Sequence, residues 1–488
     1  MAGLNEIREA RLKKIEILKE AGMDPYPISS FRTHMLTEIT ESFILLEKQG
    51  ESVVAVGRVM AIRGQGAVMF IDVDDGTAIF QSVIKKDEIG DKQHSLFQDT
   101  VDMGDFVEIS GTLFTTQKGQ PSLLAKEWRM LSKSLRPLPE KRAGLQDPEE
   151  RYRRRYLDLL TNKEVRERFV ARSKLVSILR RTLDESGFIE VETPMLQEQA
   201  GGAIAKPFVT HHNALDIDLF LRIAPELYLK ELLVGGLNKV YEIGRLFRNE
   251  GIDVTHNPEF TTIELYESYK NASEHMVFLE SLIKALVENV TGSHKVSFQG
   301  DEIDFLPKFT TIAYLDLFKK YAELNDPWSL SLSDLREAVE KRGVVVADSD
   351  PKERILDNLY KKLCRPKLIQ PTYIVDYPLE FSPLAKEKAD TPGFIDRYQL
   401  VVGGLEIVNA FSELNDPLVQ KDRFVSQEEN KNKGDEEAHV KDEDYVEAME
   451  YGMPPAAGLA ISIDRMTMIL TDTHNIREVI LFPTMRPR

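Results

Sequence analysis

A single cysteine, Cys364, stands among 488 residues. That excludes a disulfide framework and any zinc site built on several thiolates, and it fits a reduced, cytoplasmic home. No stretch approaches the roughly 18 uncharged apolar residues that a membrane helix needs. The start, Met1 to Lys19, is charged throughout and has no apolar signal core. No Gly-x-x-x-x-Gly-Lys phosphate loop occurs, and Gly64-Gln65-Gly66 lacks the third glycine and the helix context of a dinucleotide fingerprint. Positive charge is in deficit: 63 Lys and Arg face 80 Asp and Glu, a net charge of −17. Wholesale binding of nucleic acid is disfavoured, although steering depends on where charge sits. No internal repeat is visible.

What is present is ordinary for a soluble globular protein, with 42% hydrophobic and 29% charged residues. The length suggests two or three domains. Arg151 to Arg155 forms a basic cluster, either a local basic face or a solvated helix start. Much of the acidity sits in Glu428 to Asp444, which reads as an exposed insertion.

Residues 4–21 read as an amphipathic helix, with Leu4, Ile7, Leu12, Ile15 and Leu18 at helical spacing. Gly22 ends it, and Pro25 and Pro27 keep the chain extended. Residues 52–132 change character. Five short runs (Val53–Val59, Val68–Val73, Ala78–Ile84, Phe106–Ile109, Leu123–Ala125) read as strands, separated by turn signals at Asp75-Gly76, Gly104-Asp105 and Gly119-Gln120-Pro121. Five strands at this spacing fit a small barrel of the OB type, a fold that commonly holds single-stranded nucleic acid. A barrel used only for packing or protein contact has the same strand count. A proline-bearing linker follows at Leu135 to Pro139, and 165–186 reads as a helix capped by Gly187. The division expected is a helical extension over 1–50, a barrel over 51–135, a linker over 136–150 and one large domain over 151–488.

Three segments of the large domain bear on chemistry. The first is Gly187 to Pro194. The second is Tyr241 to Arg248 with Phe260 to Tyr269, two strands around a polar loop. Period-2 alternation puts Arg248 and Glu250 on one face of the first strand. On the second it puts Phe260, Thr262, Glu264 and Tyr266 together, opposite Ile263 and Leu265. A charged face bearing aromatics suits the floor of a polar cleft; a hairpin facing water has the same alternation. The third is Gly458 to Asp464-Arg465, where small residues 458, 460 and 462 share a face. Such a face lets a ligand lie against backbone, or lets a helix pack tightly.

In this order and spacing the segments resemble motifs 1, 2 and 3 of the class II aminoacyl-tRNA synthetases. The resemblance covers residues 150–488 and implies an α+β catalytic domain, with a mixed, mostly antiparallel sheet flanked by helices. It implies that Arg248 binds the α-phosphate of ATP and the substrate carboxylate, and that Glu250 contacts the adenine edge. His256 and Asn257 would lie at the nucleotide, His256 near the γ-phosphate. Phe260 would stack under adenine, and Arg465 would approach the γ-phosphate from the other side. Arg248, His256 and Arg465 are thus the expected catalytic groups. The chemistry suits these types: an anionic carboxylate attacks an anionic phosphate, so charge must be neutralised and atoms aligned, and arginine forks onto both. The family usually has glycines where Ala460 and Ser462 stand. Motif 1 would build a homodimer interface, or serve as plain core.

A fourth segment, Gly403 to Asp416, resembles the lysyl branch of that family, a class IIb, bacterial-like type. Aspartyl relatives bear an arginine here, whereas this chain offers Ser412-Glu413, and a carboxylate suits a cationic substrate. By the resemblance, Glu226 and Glu413 bind the ε-ammonium of lysine beside Tyr266. Glu264 and the backbone at Gly202 hold the α-amino group, Glu406 and Asn409 help place magnesium and ATP, and Asn409 also lies at the lysine. Glu406 and Glu413 are the expected ligands of magnesium (Mg2+), with Gln399 standing where the family often has a glutamate. Strict alternation sets Glu406 on the face opposite Asn409 and Glu413, so a bulge is needed for all three to converge. Glu226 follows Pro225 at a helix start, where an acid is favoured in any case.

In the barrel, Arg63, Phe70, Gln81 and Glu127 resemble the family's anticodon contacts; Phe70 as ordinary barrel core is the alternative. The partners implied are tRNA(Lys), ATP and L-lysine, with no membrane. The rivals are an asparaginyl or aspartyl relative, a ligase that lysylates protein, and a non-catalytic tRNA-binding paralogue. Leu131-Ser132-Lys133-Ser134 is similar to a class I synthetase loop but has no partner motif.

Overall fold

The computed structural model describes residues 3–64, 66–139, 145–199, 201–203, 205–347, 350–432 and 442–487. Gln65, residues 140–144 of the expected linker and 433–441 of the acidic stretch lie outside the described residues. The chain divides into two compact units, 1–144 and 145–488.

In the first unit, β1 (Val53–Arg63), β2 (Val68–Asp74), β3 (Ile79–Lys85), β4 (Phe106–Thr115) and β5 (Pro121–Ser132) close into a barrel of order β1-β2-β3-β5-β4. Every strand run expected from the sequence is there, extended by two-faced alternation. Val53, Ala55, Met69, Ile71, Val73, Val107, Ile109, Leu123 and Ala125 fill the interior. Helix α1 (Leu4–Glu20) packs on this unit through only part of the stripe expected. Leu4 and Leu12 are 47% and 36% exposed, while Arg11, Ile15 and Leu18 are buried. The reason is Arg11, which donates to the carbonyls of Met103 and Arg136, both at 3.1 Å. Rotating the helix to bury Leu12 would strand that cation. Lys133 is fully enclosed beside Asp105, 2.6 Å away, so the loop around it is structural.

The second unit is built on an eight-stranded sheet. Its strands are β6 (Ile189–Glu190), β7 (Lys239–Phe247), β8 (Glu259–Ser268), β9 (Thr310–Ala313), β10 (Thr372–Pro378), β11 (Phe394–Val402), β12 (Leu405–Ser412) and β13 (Ala456–Ser462). They run in the order β9-β10-β11-β12-β13-β8-β7-β6. The β6–β7 and β9–β10 pairs are parallel and the others antiparallel. Helices α2 (Lys163–Glu185) and α4 (Ala272–Thr291) bury Leu175, Ile178, Leu179, Leu183, Leu279, Leu282 and Ile283 in one cluster with Ile263, Leu265, Leu459 and Ile461 of the sheet. Gly187 follows α2 at φ 80°, a left-handed turn open to glycine. The opposite face of the central strands is therefore left to form a cleft. Two further helices border it: α3 (Glu226–Val234) and α5 (Ile463–Leu470).

The basic cluster at 151–155 is neither a basic face nor a solvated helix start. Arg155 is fully buried, 2.6 Å from Asp158 and donating to the carbonyls of Arg477 and Leu481. Arg151 also binds Asp158, and Arg153 and Arg154 bind Glu149 and Glu150. Acids three to seven residues away consume the charge. At the ends of the acidic stretch Glu428, Glu443 and Asp444 are exposed, and the helix Glu443–Glu450 buries Tyr445, Val446 and Met449 just beyond it. Among the described residues, no helix is long and apolar enough to cross a membrane.

Candidate active site

The alternation of β8 and β13 builds the floor of the cleft. Phe260, Thr262, Glu264 and Tyr266 of β8 face it, beside Gly458, Ala460 and Ser462 of β13. The cleft holds about 520 Å³, within the range of small-molecule sites. The hairpin therefore faces a cleft, not open water.

Arg248 does not continue the alternation of β7. That strand ends at Phe247, and Arg248 and Glu250 lie in the following loop, where the Glu250 amide donates to the Arg248 carbonyl at 2.8 Å. Period-2 placement on one strand face is thus corrected, although both side chains line the cleft. The Arg248 guanidinium lies 5.2 Å from the centre of the Phe260 ring, and its buried Nε has no hydrogen-bond partner. His256 is turned by Asp253, 2.8 Å from its Nδ1, so that Nε2 lies 3.3 Å from Arg465 Nη2. Asn257 is buried; its amide donates to the Glu259 carbonyl and its Oδ1 has no partner.

Arg465 is aimed by the start of α5. Ser462 caps that helix, and Asp464 accepts from the Thr261 amide at 2.7 Å and pairs with Arg172 at 2.6 Å. The acid ties α5 to both β8 and α2, leaving the next residue to enter the cleft. Arg465 Nη1 donates to the Glu406 carbonyl at 3.0 Å.

Glu406 and Asn409 both line the cleft because β12 carries the bulge that convergence requires. Leu400 pairs with Val408 and Val401 with Glu406, leaving Ile407 as the extra residue. Asn409 accepts from Arg397 at 2.9 Å. Gln399 does not reach for an ion; its carbonyl accepts from the Tyr377 hydroxyl at 2.7 Å.

One end of the cleft is acidic and enclosed. Gly202 (φ 84°) brings backbone against Glu226; a Cβ there would stand 3.0 Å from the Glu226 Cβ. Glu226 opens α3 as expected. Glu264 is buried and accepts from the Tyr266 hydroxyl at 3.1 Å. Burial, then the neighbouring Glu226, pushes its carboxyl up to about 8.

Sequence reasoning missed Lys230. It is fully buried, with Nζ 2.6 Å from Glu226 and 2.5 Å from Glu413. Burial alone would lower this ammonium, but Glu226 and Glu413 outweigh it and hold Lys230 charged. The spacing Glu226 to Lys230, one helical turn, was the available signal. Glu413 is the other partner of that ammonium. Its side chain is fully buried against Lys230 and lies over Gly458, where a Cβ would strike it and the Tyr266 ring. Glu406 stays in the cleft.

On the barrel, outward residues form a ladder across four strands. Arg63 donates bidentately to Asp72, both bonds 2.6 Å, and at 3.1 Å to the Gln81 carbonyl oxygen. Gln81 in turn donates to Ser122 at 2.7 Å. Phe70, paired in register with Arg63, is half-buried and lies outside the interior cluster, so it is not barrel core. Asp72, two residues along the same face, is the member the sequence did not single out. Glu127 is exposed on β5, beyond a register shift from Ser122.

Comparison with known proteins places these features. Residues 147–486 match the family described as tRNA synthetases class II (D, K and N). Residues 53–131 match the OB-fold nucleic acid binding domain. The chain is 48% identical over 488 residues to a lysine–tRNA ligase of Pelotomaculum thermopropionicum, covering 99% of this chain and 96% of that one. It is 46% identical to those of Syntrophomonas wolfei and Moorella thermoacetica, each covering 99% of this chain and 98% of the relative.

Proposed function

The chain belongs to the class II tRNA synthetases, among the lysine–tRNA ligases, and from that premise we propose that it joins L-lysine to tRNA(Lys) in two steps. A lysine carboxylate oxygen attacks the α-phosphorus of ATP, and the bond to pyrophosphate breaks. A hydroxyl of the terminal ribose of tRNA then attacks the lysyl carbonyl, and AMP leaves. The reaction takes place in the cytoplasm.

The observation that carries this reading is the enclosed end of the cleft. Three carboxylates gather there: Glu226 and Glu413 flank one resident ammonium, Lys230, and Glu264 lies near Glu226. Two further cations balance the set, and lysine supplies them as its α- and ε-ammonium groups. Glu264 takes the α-amino group beside Gly202; Glu226 and Glu413, with Tyr266, face the ε-ammonium. An acidic or amide side chain, as in the aspartyl and asparaginyl relatives, would leave these carboxylates unpaired, which is heavily disfavoured in a desolvated site.

Arg248 lies at the junction, with an unpaired guanidinium for the α-phosphate and the lysine carboxylate. Phe260 underlies adenine, Glu250 meets its edge, and His256, Asn257 and Arg465 take the outer phosphates. No general base is called for, since the attacking carboxylate is already ionised. The cleft suits an ion that arrives with ATP: Glu406 offers one carboxylate, and among the described residues no cluster of three or more Asp, Glu, His or Cys forms a cage. Magnesium is commonly held in that way, by few carboxylates plus phosphates and water. Glu406 and the ATP phosphates would hold it, where it draws charge from the phosphorus centre. The barrel face of Arg63, Phe70, Gln81 and Glu127 receives the anticodon by stacking and polar contact. A homodimer through residues 187–194 is supported by an exposed apolar side chain there, Ile189 at 51%.

The test is ATP–pyrophosphate exchange with each standard amino acid in turn, with magnesium and without tRNA. Lysine alone is expected to support exchange. A response to aspartate or asparagine would overturn the specificity, and silence in folded protein would favour a non-catalytic paralogue.

A further inference from the structure

Five cations line the cleft: Arg248, Lys361, Arg365, Arg397 and Arg465. Three are committed. Lys361 pairs with Asp357 at 2.6 Å. Arg397 donates to Asn409 and to the Phe381 carbonyl. Arg465 donates to the Glu406 carbonyl and lies against His256. Arg248 and Arg365 are left, and both have a buried Nε with no hydrogen-bond partner. A guanidinium held in that state lacks the planar anion its fork is made for.

Arg365 is fixed in place by local structure. The chain passes through a π-helical turn, Tyr360–Cys364, and Pro366 forbids its continuation. The Gly403-Gly404 turn, at φ 56° and 72°, then binds the segment through the carbonyls of Ile369 and Leu368. Gly404 lies so close that a Cβ would stand 3.4 Å from Pro366 and 3.6 Å from the Arg365 carbonyl. Two residues later the chain reaches Glu406. Arg365 is therefore set beside the strand start on which Arg465 leans. Arg248, Arg365 and Arg465 all line this cleft. Three arginines crowd one region, and crowding of like charge persists where a polyanion compensates it.

We infer that Arg365 is a third phosphate-binding arginine of this cleft, holding the β- and γ-phosphates of ATP and so the pyrophosphate that leaves. Arg248 lies toward the enclosed end and serves the α-phosphate, whereas Arg365 stands with Arg465 and Glu406 at the outer end. The inference rests on the ATP-dependent reading above, but its test does not depend on the amino acid.

The experiment is equilibrium titration of the full chain with pyrophosphate, ATP and AMP, in excess magnesium, for the unaltered protein, Arg365→Ala and Arg365→Lys. A lost charge-assisted contact corresponds to about a 10- to 100-fold weakening. Arg365→Ala is expected to weaken pyrophosphate and ATP by that factor and leave AMP within about twofold. Arg365→Lys, which keeps charge but loses the fork, is expected to fall between, and it serves if the alanine variant does not fold. Pyrophosphate binding that neither variant weakens overturns the inference, even where lysine-dependent exchange is intact. An equal loss for AMP and pyrophosphate also overturns it, because the effect would then be structural. Failure of exchange with lysine, alongside Arg365-dependent pyrophosphate binding, would defeat the amino-acid assignment and uphold this one.

Discussion

Lys230 Nζ lies 2.5 Å from a Glu413 carboxylate oxygen, with both side chains fully buried. A helix residue thus supplies the resident counter-charge to a carboxylate just past the end of β12. The pair belongs to the binding site, because Glu226, the other partner of Lys230, opens into the cleft.

Replacing Lys230 by Met leaves Glu226 and Glu413 without their cation. An orphaned buried charge costs about 3–5 kcal/mol, so the denaturation midpoint is expected to fall and lysine-dependent exchange to be lost. The double variant Lys230→Met, Glu413→Gln is expected to regain most of the midpoint but not the exchange. An unaltered midpoint in the single variant would show that the pair contributes little.

Arg248→Ala removes a guanidinium that has no acidic partner among the described residues and stacks only on Phe260. Folding is therefore expected to be kept, while lysine-dependent exchange drops by on the order of 10²–10³ or more. Circular dichroism and exchange on the same sample check both halves; retained exchange would remove Arg248 from the site.

The Glu264 carboxyl, raised to about 8, gives a pH prediction. The folded protein holds this proton where the unfolded chain has lost it, so stability falls as pH rises from the usual carboxylate range toward about 8. An incoming α-ammonium favours the ionised form, so lysine binding near neutrality should release a proton. Calorimetry in buffers of different ionisation heat measures that release. It should shrink in Glu264→Gln, leaving the share of Glu413, whose carboxyl burial also raises; an unaltered release there would assign the proton to another group.

Phe70→Ala and Arg63→Ala alter only the barrel face. Loss of one stacked base costs about 1–3 kcal/mol, so the KM for tRNA should rise while exchange without tRNA is unaltered. Asp72→Ala frees the Arg63 fork and should also disturb tRNA binding. A matching loss of exchange without tRNA would mean that the variants harm folding instead.

Much of this architecture was legible in the chain. The five barrel strands and the floor of the cleft follow from apolar and polar residues alternating with period 2, so Ile263 and Leu265 go to the core and Glu264 and Tyr266 to the cleft. Alternation failed at Arg248 because β7 stops at Phe247, and a loop has no period. It failed for the Arg11 face of α1 because a buried cation with backbone acceptors overrode hydrophobicity. The bulge at Ile407 was required by the residues but could be located only in the sheet.

The sequence by itself determined the strands and helices, the order of the motifs and the types of group at the site, because these depend on neighbours within a few residues. The tertiary structure alone decided which charges meet. Lys230 finds Glu413, and Asp464 finds Thr261 and Arg172. Each pairing joins residues far apart in the chain, and local periodicity carries no information about which distant charge will be buried against which.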